Sequence, residues 1–122
     1  MQMTSQDLIT VSEYKVPVKI VLINNRYLGM VRQWQQLFNG KRYSFVNLEN
    51  NPEFDMLAKA YRIEYVKIEK EEELGKLKDA FEKDGPVLID CRVVREDNVF
   101  PMIPAGESCD KLIYSKDDVV NF

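Results

Sequence analysis

Apolar residues along the chain form runs that predict strands. Residues 16–23 are almost continuous in Val, Ile and Leu, which is typical of a strand covered on both faces. Two shorter β-rich runs follow at residues 63–68 and 87–94. We expect the first strand to be central in a parallel sheet. The third strand, in which Asp90 and Arg92 make one face polar, is expected to lie nearer an edge.

Helical spacing predominates between these runs. A first helix is predicted up to about Tyr14, and a second begins at Gly29 and ends near Asn39 and Gly40. The apolar stripe of this second helix consists of Met30, Val31, Trp34, Leu37 and Phe38. Two further helices are predicted, with inward residues Phe54, Leu57, Ala58 and Tyr61 in one and Leu74, Leu77 and Phe81 in the other.

The order of these elements predicts the fold class. Two βα…β connections indicate a small three-stranded parallel sheet between helices, a three-layer α/β/α architecture. A chain of 122 residues is about the size of one domain. Residues 1–95 are expected to form a partial α/β domain. Residues 96–122, punctuated by Pro101, Pro104 and Gly106, are expected to form its irregular C-terminal arm, with one late helical turn.

The composition excludes several classes of catalytic site and binding partner. The sequence contains no histidine, which excludes Ser-His-Asp and Cys-His catalysis. The net charge is −3 and the basic residues are scattered, so we expect no nucleic-acid partner. No apolar stretch is long enough to cross a membrane, and the N-terminus lacks the pattern of a signal peptide. Cys91 and Cys109 are not spaced as Cys-x-x-Cys, and two such thiols suit a reducing cytoplasm.

Two asparagines, Asn24 and Asn25, follow the first strand directly. Ligands of open parallel sheets bind beyond the carboxyl ends of the strands, and amide oxygens at such an end suit magnesium. Paired asparagines also form simple turns, in which the side chains bond to the backbone. The dipeptide alone leaves both interpretations open.

The longer motif resembles one family. The segment "PVKIVLINNRYLGMVRQWQQLF", followed by "RYS", "GPVLIDCRV" and "NVFPMIPAG", is similar to the C-terminal thiamine-diphosphate-binding domain of the acetohydroxyacid synthase (acetolactate synthase) large catalytic subunit. The resemblance covers nearly the whole chain. Its most specific part is "GMVRQWQ" at residues 29–35, because other thiamine-diphosphate families share only the paired asparagines.

The resemblance implies a role for each matching position. Asn25 would bind magnesium through its side chain, and Tyr27 through its main-chain carbonyl. The helix that begins at Gly29 would direct its first amide groups at the diphosphate, with Met30 near the cofactor. Trp34 would shape the pocket for the second 2-keto acid. Without the resemblance, a Met and Trp stripe on a helix more often packs into a core.

The implied function is the condensation of pyruvate with a second 2-keto acid in branched-chain amino acid biosynthesis. Thiamine diphosphate would carry the chemistry, and this chain would provide half of the cofactor and magnesium sites. The family's Gly-Asp-Gly motif, which supplies the charged magnesium ligand, and its cofactor-activating glutamate are expected in earlier parts of the subunit. FAD is expected only in the full-length enzyme. Catalytic residues are therefore not expected in this chain, and alone it should be inactive.

The expected partners are the remaining part of the large subunit or another copy of this chain, the small regulatory subunit and 2-keto acid substrates. One departure from the family is Asn39, which stands where an aromatic residue is frequent. Two alternatives stay open from the sequence. In the first alternative the chain is a noncatalytic binding or regulatory module that retains this fold. In the second it is a fragment of a related thiamine-diphosphate carboligase or decarboxylase.

Overall fold

A computed structural model describes residues 1–121, and side chains as far as residue 119. No helix in this described part is long and apolar enough to cross a membrane. The helices are α1 (Leu8–Glu13), α2 (Gly29–Phe38), α3 (Phe54–Ala60) and α4 (Gly75–Glu82). The strands are β1 (Lys19–Asn24), β2 (Glu64–Ile68) and β3 (Val87–Arg92). Short 3₁₀ segments occur at Gln2–Asp7, Glu71–Glu73 and Lys116–Asn121.

The chain forms two compact units. The first consists of Met1–Asn25 and Asn50–Val93, and the second of Arg26–Glu49 together with the segment that starts at Val94. This division does not test the predicted boundary between residues 95 and 96, which stays a prediction.

The first unit contains the sheet. Its strand order is β1-β3-β2, and both pairings are parallel. In the middle of the register Leu22 of β1 lies beside Asp90 of β3, and Asp90 lies beside Lys67 of β2. The predicted three-stranded parallel sheet is confirmed.

Helices cover the sheet on both faces of this unit. On one face Leu8 of α1 with Phe54 and Ala58 of α3 pack around Leu88. On the other face Ala80 of α4 packs with Val87 and Ile89. Each large apolar side chain buried in these clusters contributes about 1.5–3 kcal/mol through removal from water. The three-layer α/β/α prediction is therefore confirmed.

The predicted positions of two strands in the sheet were wrong. The central strand is β3, and β1 is an edge strand in the described part of the chain. Asp90 made β3 resemble an edge strand, yet this carboxylate is fully buried and has three polar partners. Ile23, in the apolar run that predicted a central strand, is 66% exposed.

Helix faces were predicted correctly in α3 and partly wrongly in α4. Phe54 and Ala58 of α3 are buried as expected. In α4 the buried residue is Ala80, whereas Leu74 and Phe81 are exposed. Leu74 precedes the first residue of α4, so it does not follow the inward face that the spacing assigned to it.

The second unit contains α2 and the C-terminal segment. An antiparallel bridge joins Tyr27 to Asn47, and another joins Met102 to Ile113. Ile113 is fully buried. The 3₁₀ segment Lys116–Asn121 confirms the late helical turn that was expected in the C-terminal arm.

Candidate functional site

The first asparagine of the pair is a buried structural anchor. Asn24 ends β1, and its Nδ2 donates a hydrogen bond of 2.9 Å to Oδ1 of Asp90. Asn24 and Asp90 are both buried. This bond links the end of β1 to the central strand. It is important for stability because a buried polar group without a partner is costly. The side-chain amide of Asn24 is therefore engaged inside the sheet.

Asp90 has two further partners. The hydroxyl of Tyr65 donates to Oδ2 of Asp90 at 3.0 Å, and Nη2 of Arg92 lies 3.0 Å from the same oxygen. Burial, and then the adjacent Asp90 carboxylate, raise the pKa of Tyr65 to about 12. The cluster of Asn24, Tyr65, Asp90 and Arg92 thus joins all three strands on one face of the sheet. Sequence reasoning missed it, since an acidic residue in a strand usually indicates exposure.

The second asparagine lies just beyond the strand. Asn25 is half-buried and is the last residue of its segment in the first unit. Arg26 follows with φ of 58°, a left-handed conformation that is uncommon outside glycine. The chain direction therefore changes immediately after the asparagine for which a magnesium-binding role was predicted.

Tyr27 lies in the second unit, where the bridge to Asn47 fixes its backbone. The bridge consists of hydrogen bonds from Leu28 N–H to Val46 carbonyl and from Leu48 N–H to Arg26 carbonyl, each 2.9 Å long. Both bonds are made by neighbours of Tyr27, so this bridge does not use the main-chain carbonyl of Tyr27 itself. That carbonyl is the atom assigned to magnesium by the resemblance.

Helix α2 has its polar residues inside and several of its apolar residues outside. Met30 is 57% exposed and Val31 is also exposed, whereas Arg32 and Gln33 are 7% and 2% exposed. Trp34 is half-buried, and its ring lies 4.8 Å from that of Phe38. The common interpretation of such a stripe, packing into a core, is therefore wrong for Met30 and Val31. Periodicity locates the two faces of a helix but does not say which face is covered.

Arg32 is a charged residue that is buried within this unit. Its guanidinium lies 4.6 Å from the ring centre of Tyr43 and 5.3 Å from that of Tyr27. It also pairs with Glu96 at 3.0 Å and donates to Gln36 at 2.9 Å. Arg32, the two tyrosines and Glu96 line a cavity of about 240 Å³. The surrounding partners satisfy the buried charge.

The N-terminus of α2 has no capping hydrogen bond from a described side chain. The first amide groups of a helix have no intrahelical acceptor and favour anions. A diphosphate is chemically suited to this helix end. The described residues contain no group of three or more His, Cys, Asp or Glu that could hold a metal ion. The predicted donors, an amide oxygen and a carbonyl oxygen, have the hard character that magnesium prefers but carry no charge.

A comparison with protein families identifies the fold. Residues 1–91 match the model described as thiamine pyrophosphate enzyme, C-terminal TPP binding domain. The chain belongs to this family. Its membership agrees with the small parallel sheet and its flanking helices.

Three relatives of this thiamine pyrophosphate enzyme domain are acetolactate synthase large subunits. The acetolactate synthase large subunit of Porphyra purpurea is 46% identical over 114 residues, which are 92% of this chain and 19% of that protein. The corresponding subunit of Lactococcus lactis is 41% identical over 92% of this chain and 20% of its own length. Isozyme 2 of Escherichia coli is 41% identical over 91% of this chain and 20% of its own length. The chain thus spans about a fifth of these relatives.

A solved structure shows the same fold. The thiamine diphosphate-dependent 4-hydroxybenzoylformate decarboxylase of Rhodococcus jostii RHA1 matches with a TM-score of 0.69 and 25% identity. The match covers 79% of this chain and 18% of that enzyme. The thiamine pyrophosphate domain fold is therefore supported by sequence and by coordinates.

Proposed function

We propose that this chain is the C-terminal part of an acetolactate synthase large subunit. The observation that carries the proposal is the 41–46% identity, over more than nine tenths of the chain, to subunits of that name in an alga and two bacteria. The reaction is the thiamine-diphosphate-dependent condensation of pyruvate with a second 2-keto acid, in branched-chain amino acid biosynthesis. We also propose a cytoplasmic location, which the free thiols of Cys91 and Cys109 suit.

The proposed magnesium ligands from this chain are the side chain of Asn25 and the main-chain carbonyl of Tyr27. Asn24, its neighbour, is held by Asp90, so the two amides have different tasks. Both proposed donors are neutral oxygens, and a carboxylate from an earlier part of the subunit would complete the set. Because Tyr27 would act through its backbone, its side chain should matter little for the metal.

The proposed cofactor contacts are made by the first turn of α2. The amide groups that begin at Gly29 would donate to the diphosphate, and Met30 would lie against the cofactor. The exposure of Met30 supports this role, since a methionine packed in the core of this chain would have no surface to offer. When bound, thiamine diphosphate supplies the carbanion chemistry. The chain itself would bind and orient the cofactor and exclude water from it.

Trp34 is the proposed specificity residue. Its half-buried indole rests on Phe38 and retains accessible surface. A rigid aromatic side chain on a helix offers a well-defined wall against which a second 2-keto acid can pack. We propose that this wall selects the second substrate.

The rest of the large subunit is the proposed principal partner. The chain matches only about a fifth of its relatives. We assign the charged magnesium ligand, the cofactor-activating glutamate and the FAD site to the remainder. A small regulatory subunit is proposed as a further partner of the complete enzyme. The isolated chain is accordingly proposed to be inactive.

A chimera tests this function. The 112 matched residues of the E. coli isozyme 2 large subunit would be replaced by the corresponding residues of this chain, and acetolactate formation from pyruvate would be measured. We expect an active enzyme. Asn25→Ala in the chimera should raise the magnesium concentration needed for half-maximal activity by more than about tenfold. Asn50→Ala, which changes an exposed amide outside the site, is the matched control and should leave this concentration unchanged.

Two results would contradict the proposal. One is a chimera that has the circular dichroism and sedimentation of the parent enzyme but forms no acetolactate. The other is an unchanged magnesium requirement in Asn25→Ala, which would remove this residue from the metal site and leave the family assignment intact.

A further inference from the structure

Gln33 is the most buried polar side chain of α2, and its amide is fully engaged. It is 2% exposed. Its Nε2 donates to the main-chain carbonyl of Val99 at 3.0 Å, and the N–H of Val99 donates to its Oε1 at 2.8 Å. Nε2 also lies 2.9 Å from the sulfur of Met102. A side-chain amide thus binds both backbone groups of one residue, as a neighbouring strand would.

The preceding residue holds the same stretch of chain. Arg32 pairs with Glu96, three positions before Val99. Residues 94–101 contain no helix or strand, so their backbone is not fixed by regular structure. We call the Arg32–Glu96 pair and the Gln33–Val99 pair the polar latch. Both pairs lie within the second unit.

The latch lies on the buried side of α2. Successive residues of an α-helix are about 100° apart around its axis. When Arg32 and Gln33 face inward, this spacing carries Val31 and Trp34 toward the opposite side; Val31 is 48% exposed and Trp34 is half-buried. A buried amide cannot turn toward an apolar neighbour without losing two hydrogen bonds, which makes its orientation specific.

We infer that Gln33 is a positioning residue, which fixes the rotation of α2 through Val99 and so presents Trp34 to the second 2-keto acid. The role of Trp34 in this inference rests on the proposed function. Gln33 itself has no surface for a substrate, and it acts through the helix. The neighbouring ion pair between Arg32 and Glu96 holds the same segment.

The helix contains a matched control for this residue. Gln35 makes the same two-bond contact with the backbone of Ser44: its Nε2 donates to the carbonyl at 3.0 Å, and the N–H donates to its Oε1 at 3.1 Å. This contact is exposed. Gln33→Met and Gln35→Met therefore each remove a pair of hydrogen bonds to the backbone of one residue, and only the pair made by Gln33 belongs to the latch.

The first experiment uses the 122-residue chain and needs no activity. Hydrogen exchange of the Val99 amide would be followed by NMR, and accessibility of Trp34, the only tryptophan, by acrylamide quenching. In Gln33→Met we expect Val99 exchange to be faster by about tenfold and Trp34 quenching to change. Gln35→Met should leave both unchanged. Unchanged Trp34 quenching in folded Gln33→Met would overturn the inference.

A second variant addresses the case in which Gln33→Met does not fold. Gln33→Glu keeps an acceptor for the Val99 N–H and loses the donor to its carbonyl. We expect it to retain slow exchange at Val99. Its Trp34 quenching should lie between that of the parent chain and that of Gln33→Met, or that of the unfolded chain if Gln33→Met does not fold. Fast exchange at Val99 in folded Gln33→Glu would contradict the latch.

The second experiment separates the inference from the proposed function. In the chimera, Gln33→Met should raise KM for the second 2-keto acid several-fold while kcat changes less, and Gln35→Met should leave both unchanged. An active chimera whose KM is insensitive to Gln33→Met would overturn the positioning role. A chimera that is inactive with Gln33 intact would instead contradict the proposed function, and Trp34 quenching would still decide whether Gln33 sets the rotation.

Discussion

At the scale of the residue, a single buried carboxylate explains why one of two adjacent asparagines is structural. Asp90 is fully buried and receives hydrogen bonds from Asn24 and Tyr65, with Arg92 as its ion-pair partner. Breaking such a set by removing one charge leaves the opposite charge buried and uncompensated. The sequence of the two asparagines does not show that Asn24 is structural, because its partner Asp90 is more than sixty positions away.

Replacement of Asp90 should therefore be costly. We expect Asp90→Asn to lower the free energy of unfolding by about 3 kcal/mol, because Arg92 loses its charged partner. Urea unfolding followed by circular dichroism would measure the change. Asp79→Asn, at an exposed carboxyl on α4, is the control and should change stability by less than about 0.5 kcal/mol. Equal effects of the two substitutions would rule out a special role for the cluster.

The same cluster predicts a loss of stability in alkali. The pKa of Tyr65 rises from its usual value of 10 to about 12 in the folded chain, chiefly through burial and then through Asp90. Its contribution is fully present below pH 10. Between pH 10 and 12 the unfolded chain releases the proton while the folded chain keeps it, so stability falls.

Unfolding measured across this pH range would test the assignment to Tyr65. In Tyr65→Phe the part of the decline that is due to this hydroxyl should be absent, although the variant is less stable at neutral pH since Asp90 loses a donor. Parallel curves for parent and variant from pH 10 to 12 would show that another group is responsible.

At the scale of the element, the sequence predicted what forms but not which way it faces. The three strands and the helix at Gly29–Phe38 follow from local spacing, which depends on residues a few positions apart. The orientation of α2 depends on Glu96 and Val99, which are distant in sequence and became visible only in the fold. The central position of β3 could not be predicted either, because the partners of Asp90 lie on three different strands.

The candidate site was predictable to a similar extent. The motif around Asn25, Gly29 and Trp34 was recognisable because adjacent residues in the sequence carry it. The hydrogen bond that holds Asn24 to Asp90, and the latch at Gln33, were not recognisable. Both depend on hydrogen bonds to residues at least 66 positions away.

The edge strand β1 predicts self-association. One side of β1 has no strand beside it in the described residues, and Ile23 is exposed on its surface. Open apolar edges recruit further strands, and lysine on such an edge prevents it. We expect the chain to sediment as oligomers, and the double variant Val21→Lys with Ile23→Lys to sediment as a monomer. Met56→Lys, at an exposed apolar residue of α3, should leave the oligomers intact.

A monodisperse monomer of the unaltered chain would refute this expectation. Oligomers that persist in the double lysine variant would instead place the association surface elsewhere in the chain.

At the scale of the whole molecule, we propose that the described residues supply only half of a cofactor site. The proposed metal donors are uncharged, and no cluster of three or more His, Cys, Asp or Glu is present in the described part of the chain. Magnesium that bridges a diphosphate usually requires at least one carboxylate. The matching span of about a fifth of the relatives agrees with a site that is completed by other residues.

Calorimetric titration of the isolated chain tests this division. We expect no binding at micromolar concentrations when thiamine diphosphate is added in the presence of magnesium, since the proposed charged ligand belongs to an earlier part of the subunit. The active chimera is the control and should bind under the same conditions. Micromolar binding by the isolated chain would show that the neutral donors and the helix terminus suffice.

The outward apolar face of α2 has a practical consequence for anyone who modifies this protein. Solubility engineering replaces exposed apolar side chains with charged ones, and Met30 and Val31 would be early choices. Such changes should leave thermal and chemical stability almost untouched while they erase the surface that we assign to cofactor and substrate. Libraries of this chain should consequently be placed in the chimeric large subunit and selected by growth of an auxotrophic host, because a screen for expression would favour inactive variants.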